Sequence, residues 1–260
     1  MLQLIGGGQM GQALLGGLLA AGNCSADEVV VVEIDPDRRV ELVERFPGVT
    51  VTDEPVPARG LIVATKPAGV GPAVTAATEV GVERIVSIAA GVSTASIEFA
   101  ARADLPVVRA MPNTPALVGA GAAAIAGGRH AGEADMVWAE SVLGAVGTVV
   151  RVPESALDAV TGLSGSGPAY VFLVAEAMID AGVDAGLPRG TADALVRQTL
   201  LGAARLLSEG SQDPAALRAA VTSPGGTTAA GLRVLEQRAT RAAFIDAVAA
   251  AARRSAELGS

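Results

Sequence analysis

Short apolar runs alternate with Ala-rich or amphipathic stretches through the first half of the chain. Leu2–Ile5, Val29–Glu33, Leu61–Thr65, Ile85–Ile88 and Val107–Ala110 are such runs, several of them rich in Val and Ile. Met10–Ala21 and Pro36–Arg45 lie between them and predict helices. The rhythm is that of strand, helix, strand. It predicts a parallel sheet covered by helices, because strands buried on both faces read as continuous apolar runs. Ala122–Ala126 and Thr148–Val152 are two further strand candidates that would extend this sheet.

Beyond Pro153 the texture changes. Residues 168–184, 189–208, 214–221, 227–238 and 240–258 predict helices, the last with Phe244, Val248, Ala251 and Ser255 on one face. Gly186 with Pro188, Glu209-Gly210, and Asp213-Pro214 supply stop and start signals. No strand-like alternation follows Val152. The expectation is an α/β fold of Rossmann type: a doubly wound, mainly parallel sheet over 1–152, then an all-helical domain over 153–260. The helical part is rich in Ala and Leu and poor in aromatics, so a partner chain is expected to complete its apolar stripe.

Composition narrows the function classes. Half the residues are apolar, which excludes a disordered chain. A formal charge of −8 without a Lys/Arg cluster argues against a nucleic acid or an anionic membrane as partner. Cys24 and His130 are the only residues of their types, so neither a disulfide nor an ordinary metal site is expected. The uncharged stretches 6–26 and 110–128 reach the length of a membrane span, but glycines break the first and Pro112 and Pro115 the second. No basic segment precedes an apolar one at the N-terminus, so a secretory leader is not expected and a cytoplasmic location is.

The strongest local signal is Gly6-x-Gly8-x-x-Gly11, directly after the first strand and opening a helix. The first glycine allows the tight turn and the second lets backbone approach a pyrophosphate. The third lets helix pack on strand, with its N-terminal amides facing the phosphates. With 32 glycines in the chain the pattern alone is weak, but its strand–turn–helix context is right. Glu33 ends the second strand, where a carboxylate normally accepts from the adenosine ribose and disfavours a 2′-phosphate. Asp35 and Asp37 read as caps of the next helix, and Arg38 or Arg39 offers the opposite preference, so NADH and NADPH both stay open.

Lys66, the only lysine, stands in Ala64-Thr65-Lys66-Pro67 after a strand, on the ligand-binding edge of such a sheet. Ala89-Ala90-Gly91 and Met111-Pro112-Asn113 follow strands on the same edge, where small residues would admit a nicotinamide ring and Asn113 could donate to it. In the helical half, VTSPGGTT at 221–228 joins two helices; its amides lead into a helix N-terminus and its hydroxyls suit a carboxylate. The alternative there is a plain connector with Thr227 as cap. No Ser-His-Asp set forms around His130 and no paired-acid motif is present. A dinucleotide site with few acid–base groups suits hydride transfer to an already electrophilic imine, whereas a ketone would need a proton donor.

These stretches resemble the pyrroline-5-carboxylate reductases: IGGGQMGQALLGGL (5–18), ATKP (64–67), VVRAMPNTPALVGAG (107–121), LSGSGPAYVFLVAEAMIDAGVDAGLPR (163–189) and VTSPGGTTAAGLRVLE (221–236). The resemblance implies reduction of 1-pyrroline-5-carboxylate to L-proline by NADPH or NADH. It implies a homodimer with interlocked helical domains, often assembled further into a decamer. Carried over, Gly6, Gly8, Gln9, Met10 and Gly11 would hold the pyrophosphate. Ala64, Lys66, Pro67, Ala90, Met111, Pro112 and Asn113 would lie along the cofactor, with Glu33 at the ribose. Ser223, Gly225, Gly226, Thr227 and Thr228 would bind the cyclic imino acid, with Thr228 and Ser223 as catalytic hydroxyls and Thr228 nearest the ring nitrogen. No residue matches an agreed proton donor. Glu33-Ile34-Asp35 departs from NADPH-preferring relatives, which often carry a basic or small polar residue there. A β-hydroxyacid dehydrogenase would need a lysine early in its helical domain, and this chain has none beyond Lys66.

Overall fold

The computed structural model describes Met1 to Gly259. Its eight-stranded sheet runs in the order β3-β2-β1-β4-β5-β6-β7-β8. The strands are β1 Leu2–Ile5, β2 Val29–Val32, β3 Thr50–Thr52, β4 Gly60–Val63, β5 Ile85–Ser87, β6 Val107–Met111, β7 Gly121–Gly127 and β8 Gly147–Arg151. Every neighbouring pair is parallel except β6 with β7, which is antiparallel. Both extra strand candidates form, as β7 and β8. The edge strand β3 has no apolar run to announce it: Thr-Val-Thr is short and half-exposed.

Two faces of the sheet carry separate apolar clusters, as period-two geometry requires. Leu4, Val31, Ile62, Val86 and Val108 pack with Leu14, Leu15 and Leu18 on one side. Ile5, Val32, Leu61, Val63, Ile85 and Val107 pack with Val70, Val74 and Ile97 on the other. The first-half helices are α1 Gln9–Ala20, α2 Pro36–Arg45, α3 Pro67–Val80, α4 Thr94–Ala101 and α5 Glu133–Gly144. Asp35 caps α2, its carboxylate accepting from Asp37 N at 3.0 Å and Arg38 N at 3.4 Å, and Pro36 takes the first helical position.

After β8 all described elements are helical: α6 Leu157–Val160, a π-type turn Thr161–Gly165, α7 Gly167–Asp184, α8 Arg189–Glu209, α9 Pro214–Ala220, α10 Thr227–Gln237 and α11 Thr240–Gly259. Asp213 caps α9 through Ala216 N at 2.8 Å. Two compact units result. One is Met1–Ser166 together with the chain from Val248 onward; the other is Gly167–Ala247. The boundary expected near residue 152 coincides with the end of the strands, and the first unit continues past it to Ser166. In the second unit Ile179, Ala192 and Val196 form the buried centre of the α7–α8 pair. None of the described helices is long and apolar enough to cross a membrane.

Glu154 ties the exit from the sheet to α4 and β6. Its carboxylate accepts from Thr94 N at 2.8 Å, Thr94 Oγ1 at 2.5 Å and Arg109 Nη1 at 3.2 Å. Burial pushes its pKa up, and the Thr94 and Arg109 hydrogen bonds outweigh it, leaving the group below the ordinary glutamate value. A depressed folded pKa stabilises fully above the unfolded value near ~4.3 and is lost as pH falls through the folded one. Glu154→Gln is therefore expected to lower stability at pH 7 by about 1 kcal/mol, with the gap to wild type closing in acid. Denaturant midpoints at pH 7 and pH 3 check this; an equal gap at both would contradict it.

Candidate active site

Strand order reverses between β1 and β4, so the loops after these strands flank the crevice where doubly wound sheets bind ligands. Gly6 begins the turn with φ +105, and a Cβ on it would stand 2.7 Å from the Ala64 carbonyl oxygen. A Cβ on Gly11 would stand 2.1 Å from the Gly6 oxygen, so only glycine lets α1 approach β1 this closely. Gly8, by contrast, has nothing within 4 Å of the place a Cβ would take. It is the N-cap of α1, with no side-chain cap and no acid in the first turn. Free helix amides, an open approach over Gly8 and glycines crowded on the other side fit a dinucleotide pyrophosphate. Gln9 is exposed and Met10 half-buried at the start of that helix.

Glu33 is buried rather than projecting from the strand end. Its Oε2 accepts from Gly7 N at 2.9 Å and its Oε1 from Asp35 N at 3.0 Å. Gln12, which the sequence did not single out, holds the other end of the same residue: its Nε2 donates to Gly7 O at 2.9 Å. Arg45 Nη1 donates to Gln12 Oε1 at 2.5 Å. Glu33 and Gln12 thus bracket Gly7 and fix the glycine turn. The signal for Gln12 was a polar residue on the otherwise apolar face of α1. Beside Glu33, Arg38 Nη1 stands 3.7 Å from its carboxylate, while Arg39 Nη1 donates to the carbonyls of Glu33 and Ile34.

Farther along the edge, Ala64 N donates to Ile5 O at 2.8 Å, which seats the start of the β4 loop beside Gly6. Thr65 Oγ1 is buried without a hydrogen-bond partner among the described residues. Lys66 is the exposed N-cap of α3 and Pro67 its first residue. Ala90 is exposed after β5. Met111 ends β6, Pro112 and Asn113 follow it, and there the side chains turn inward. Asn113 is buried, its Nδ2 donating to Ser164 O at 3.0 Å and its Oδ1 accepting from Ala122 N at 2.8 Å. It pins the π-type turn to the start of β7. Met111 lies against Gly165, where a Cβ would come within 2.7 Å of Cε.

A cavity of about 390 Å3 within the first unit brings Pro67 and Ala90 together with Gly91, Thr161, Ser166, Arg254 and Ser255. Ser255 Oγ donates to Asp158 Oδ1 at 2.7 Å and Arg254 pairs with Glu257 at 2.9 Å. None of the last four was expected at this edge from sequence, because they reach it only through long-range packing. His130 is an exposed residue beside Asp104, its Nε2 3.4 Å away.

The second unit holds the 221–228 loop, described there by itself. Gly226, not Thr227, caps α10, without a side-chain hydrogen bond. Gly225 has φ +71, and Gly226 N donates to Ser223 O at 3.0 Å, closing a turn that leaves Ser223, Thr227 and Thr228 exposed. Helix amides without a side-chain cap and three exposed hydroxyls can receive a carboxylate and a polar ring atom.

Residues 154–258 match the family model for pyrroline-5-carboxylate reductase dimerisation, and residues 1–91 that for coenzyme F420-dependent NADP oxidoreductases. The pyrroline-5-carboxylate reductase of a Synechocystis species is 46% identical over 263 residues, covering 99% of this chain and 98% of the relative. The chain belongs to the pyrroline-5-carboxylate reductase family. Among solved structures, the Coxiella burnetii pyrroline-5-carboxylate reductase superposes with TM-score 0.93 at 35% identity, over 100% of this chain and 98% of that one. The Plasmodium falciparum pyrroline carboxylate reductase, solved with NADP bound, gives 0.84 at 28% identity, over 100% and 98%. The family assignment covers both the glycine turn and the 221–228 loop.

Proposed function

We propose that the chain reduces 1-pyrroline-5-carboxylate to L-proline with NADPH or NADH, as the last step of proline biosynthesis in the cytoplasm. One observation supports this most: a chain of this family carries an uncapped, glycine-framed helix N-terminus on the sheet edge and a second uncapped helix N-terminus among three hydroxyls. Gly6, Gly8, Gln9, Met10 and Gly11 would hold the pyrophosphate, with Glu33 facing the ribose region and Ala64, Lys66, Pro67, Ala90, Met111, Pro112 and Asn113 along the rest. When bound, the reduced nicotinamide supplies a hydride to the imine carbon.

The chain's own residues bind and orient the substrate. Gly225, Gly226 and the first amides of α10, with Ser223 and Thr227, bind the carboxylate. Thr228 Oγ1 accepts from the protonated ring nitrogen and keeps the proton there. As the imine carbon gains its hydrogen, the C=N electron pair settles on nitrogen, which already carries the proton a secondary amine needs. No side chain has to donate a further one, which agrees with the scarcity of acid–base groups.

The same reading makes the protein a homodimer joined through its helical domains. Phe172, Leu173, Leu195, Leu206 and Ile245 are each more than half exposed in the single chain, an apolar surface that a partner copy would cover. Light scattering at micromolar concentration is expected to give at least twice the chain mass. A monomer would contradict the assignment of that surface.

A further inference from the structure

At the opposite edge of the sheet, where β1, β4 and β5 begin, the first unit holds another cavity of about 290 Å3, near the lower end of the small-molecule range. Its wall is built around Trp138 of α5. The indole lies on Gly60, where a Cβ would stand 2.6 Å from a ring carbon, and the Arg84 guanidinium covers it at 4.3 Å from the centroid. This stack holds Arg84 by a cation–π contact and by packing. Arg84 is half-buried, yet no hydrogen bond or ion pair reaches its guanidinium among the described residues. Burial holds its pKa below the ordinary arginine value; Asp135 opposes that shift, Arg59 adds to it and Glu83 opposes it. A partly desolvated guanidinium has a planar fork of donors suited to an oxyanion.

The other charged groups of the cavity agree with such a guest. Arg59 brings a second guanidinium, its Nε 3.6 Å from the exposed Glu83. Glu28, the only acid in the wall, turns an oxygen to Ser25, accepting from its N and its Oγ, each at 2.9 Å. We propose that this cavity is a second ligand site, for a small molecule whose carboxylate or phosphate takes the unpaired fork of Arg84. It lies at the strand ends away from the glycine turn and does not depend on the reductase reading.

The chain's only tryptophan and only cysteine, Trp138 and Cys24, both line the cavity and report on it. Burial, then Glu28, pushes the Cys24 thiol up, so its alkylation by iodoacetamide is followed at mildly alkaline pH. Sodium phosphate and sodium citrate are titrated separately against sodium chloride at equal ionic strength. At least one oxyanion is expected to change Trp138 fluorescence saturably, with a midpoint in the low millimolar range or below, and to slow Cys24 alkylation several-fold. Which salt acts distinguishes phosphate from carboxylate recognition. Arg84→Gln should raise the midpoint at least tenfold. The proposal fails if neither salt gives a saturable change in the wild type, or if Arg84→Gln titrates at the same midpoint. Should Arg84→Gln not fold, protection of Cys24 in the wild type decides, and unchanged alkylation overturns the site.

Discussion

Gly11→Ala is expected to abolish dinucleotide binding and to remove about 3 kcal/mol of stability, the upper range for forcing an atom into packed structure. The added methyl would lie 2.1 Å from the Gly6 carbonyl oxygen and 3.2 Å from Leu4 Cδ2. The first is backbone and cannot rotate away, so α1 must shift from β1 and carry its N-terminal amides with it. Gly8→Ala separates packing from binding. Gly8 has ordinary φ of −70 and open space at the Cβ position, so this variant should keep wild-type stability. Its methyl would occupy the open approach to the α1 amides, so affinity should still fall tenfold or more. Thermal melts and fluorescence titrations with NADH and NADPH test the pair. Equal affinities for Gly8→Ala and wild type would remove that turn from the binding site.

Thr228→Ala is expected to lower kcat/KM for 1-pyrroline-5-carboxylate about 30-fold, or about 2 kcal/mol, while the cofactor dissociation constants stay unchanged. The second residue of α10 is exposed in the single chain and its side chain makes no hydrogen bond among the described residues, so truncation costs the fold little. Its effect should therefore be confined to the substrate. Thr228→Ser, which keeps the hydroxyl, should recover most of the loss. Unchanged kcat and KM in Thr228→Ala would remove the residue from the site.

Features fixed by local spacing were legible in the sequence. The glycine turn, the capping of α2 by Asp35 and of α9 by Asp213, and the strand runs all depend on residues a few positions apart. Features made by distant residues were not. The sequence offers Glu33 and Asn113 only as candidate cofactor contacts at strand ends and says nothing of their partners within the fold. The fold buries both and engages them, Glu33 with Gly7 N and Asn113 with Ser164 O and Ala122 N. Gln12 stands out in the sequence only as a polar residue on the apolar face of α1, and its partners Gly7 O and Arg45 come from the fold. Likewise Arg254 and Ser255 reach the cavity beside Ala90 because the end of α11 packs on the first unit. Strand β3 carried no signal, since an edge strand of Thr-Val-Thr buries little apolar surface.

The most direct test is the initial rate of NADH and of NADPH oxidation by the purified protein, with and without 1-pyrroline-5-carboxylate. The account predicts oxidation that requires the substrate and yields proline in equal amount, with the ratio of the two kcat/KM values moving towards NADPH in Glu33→Gln. Binding of both cofactors with no substrate-dependent oxidation of either would contradict it.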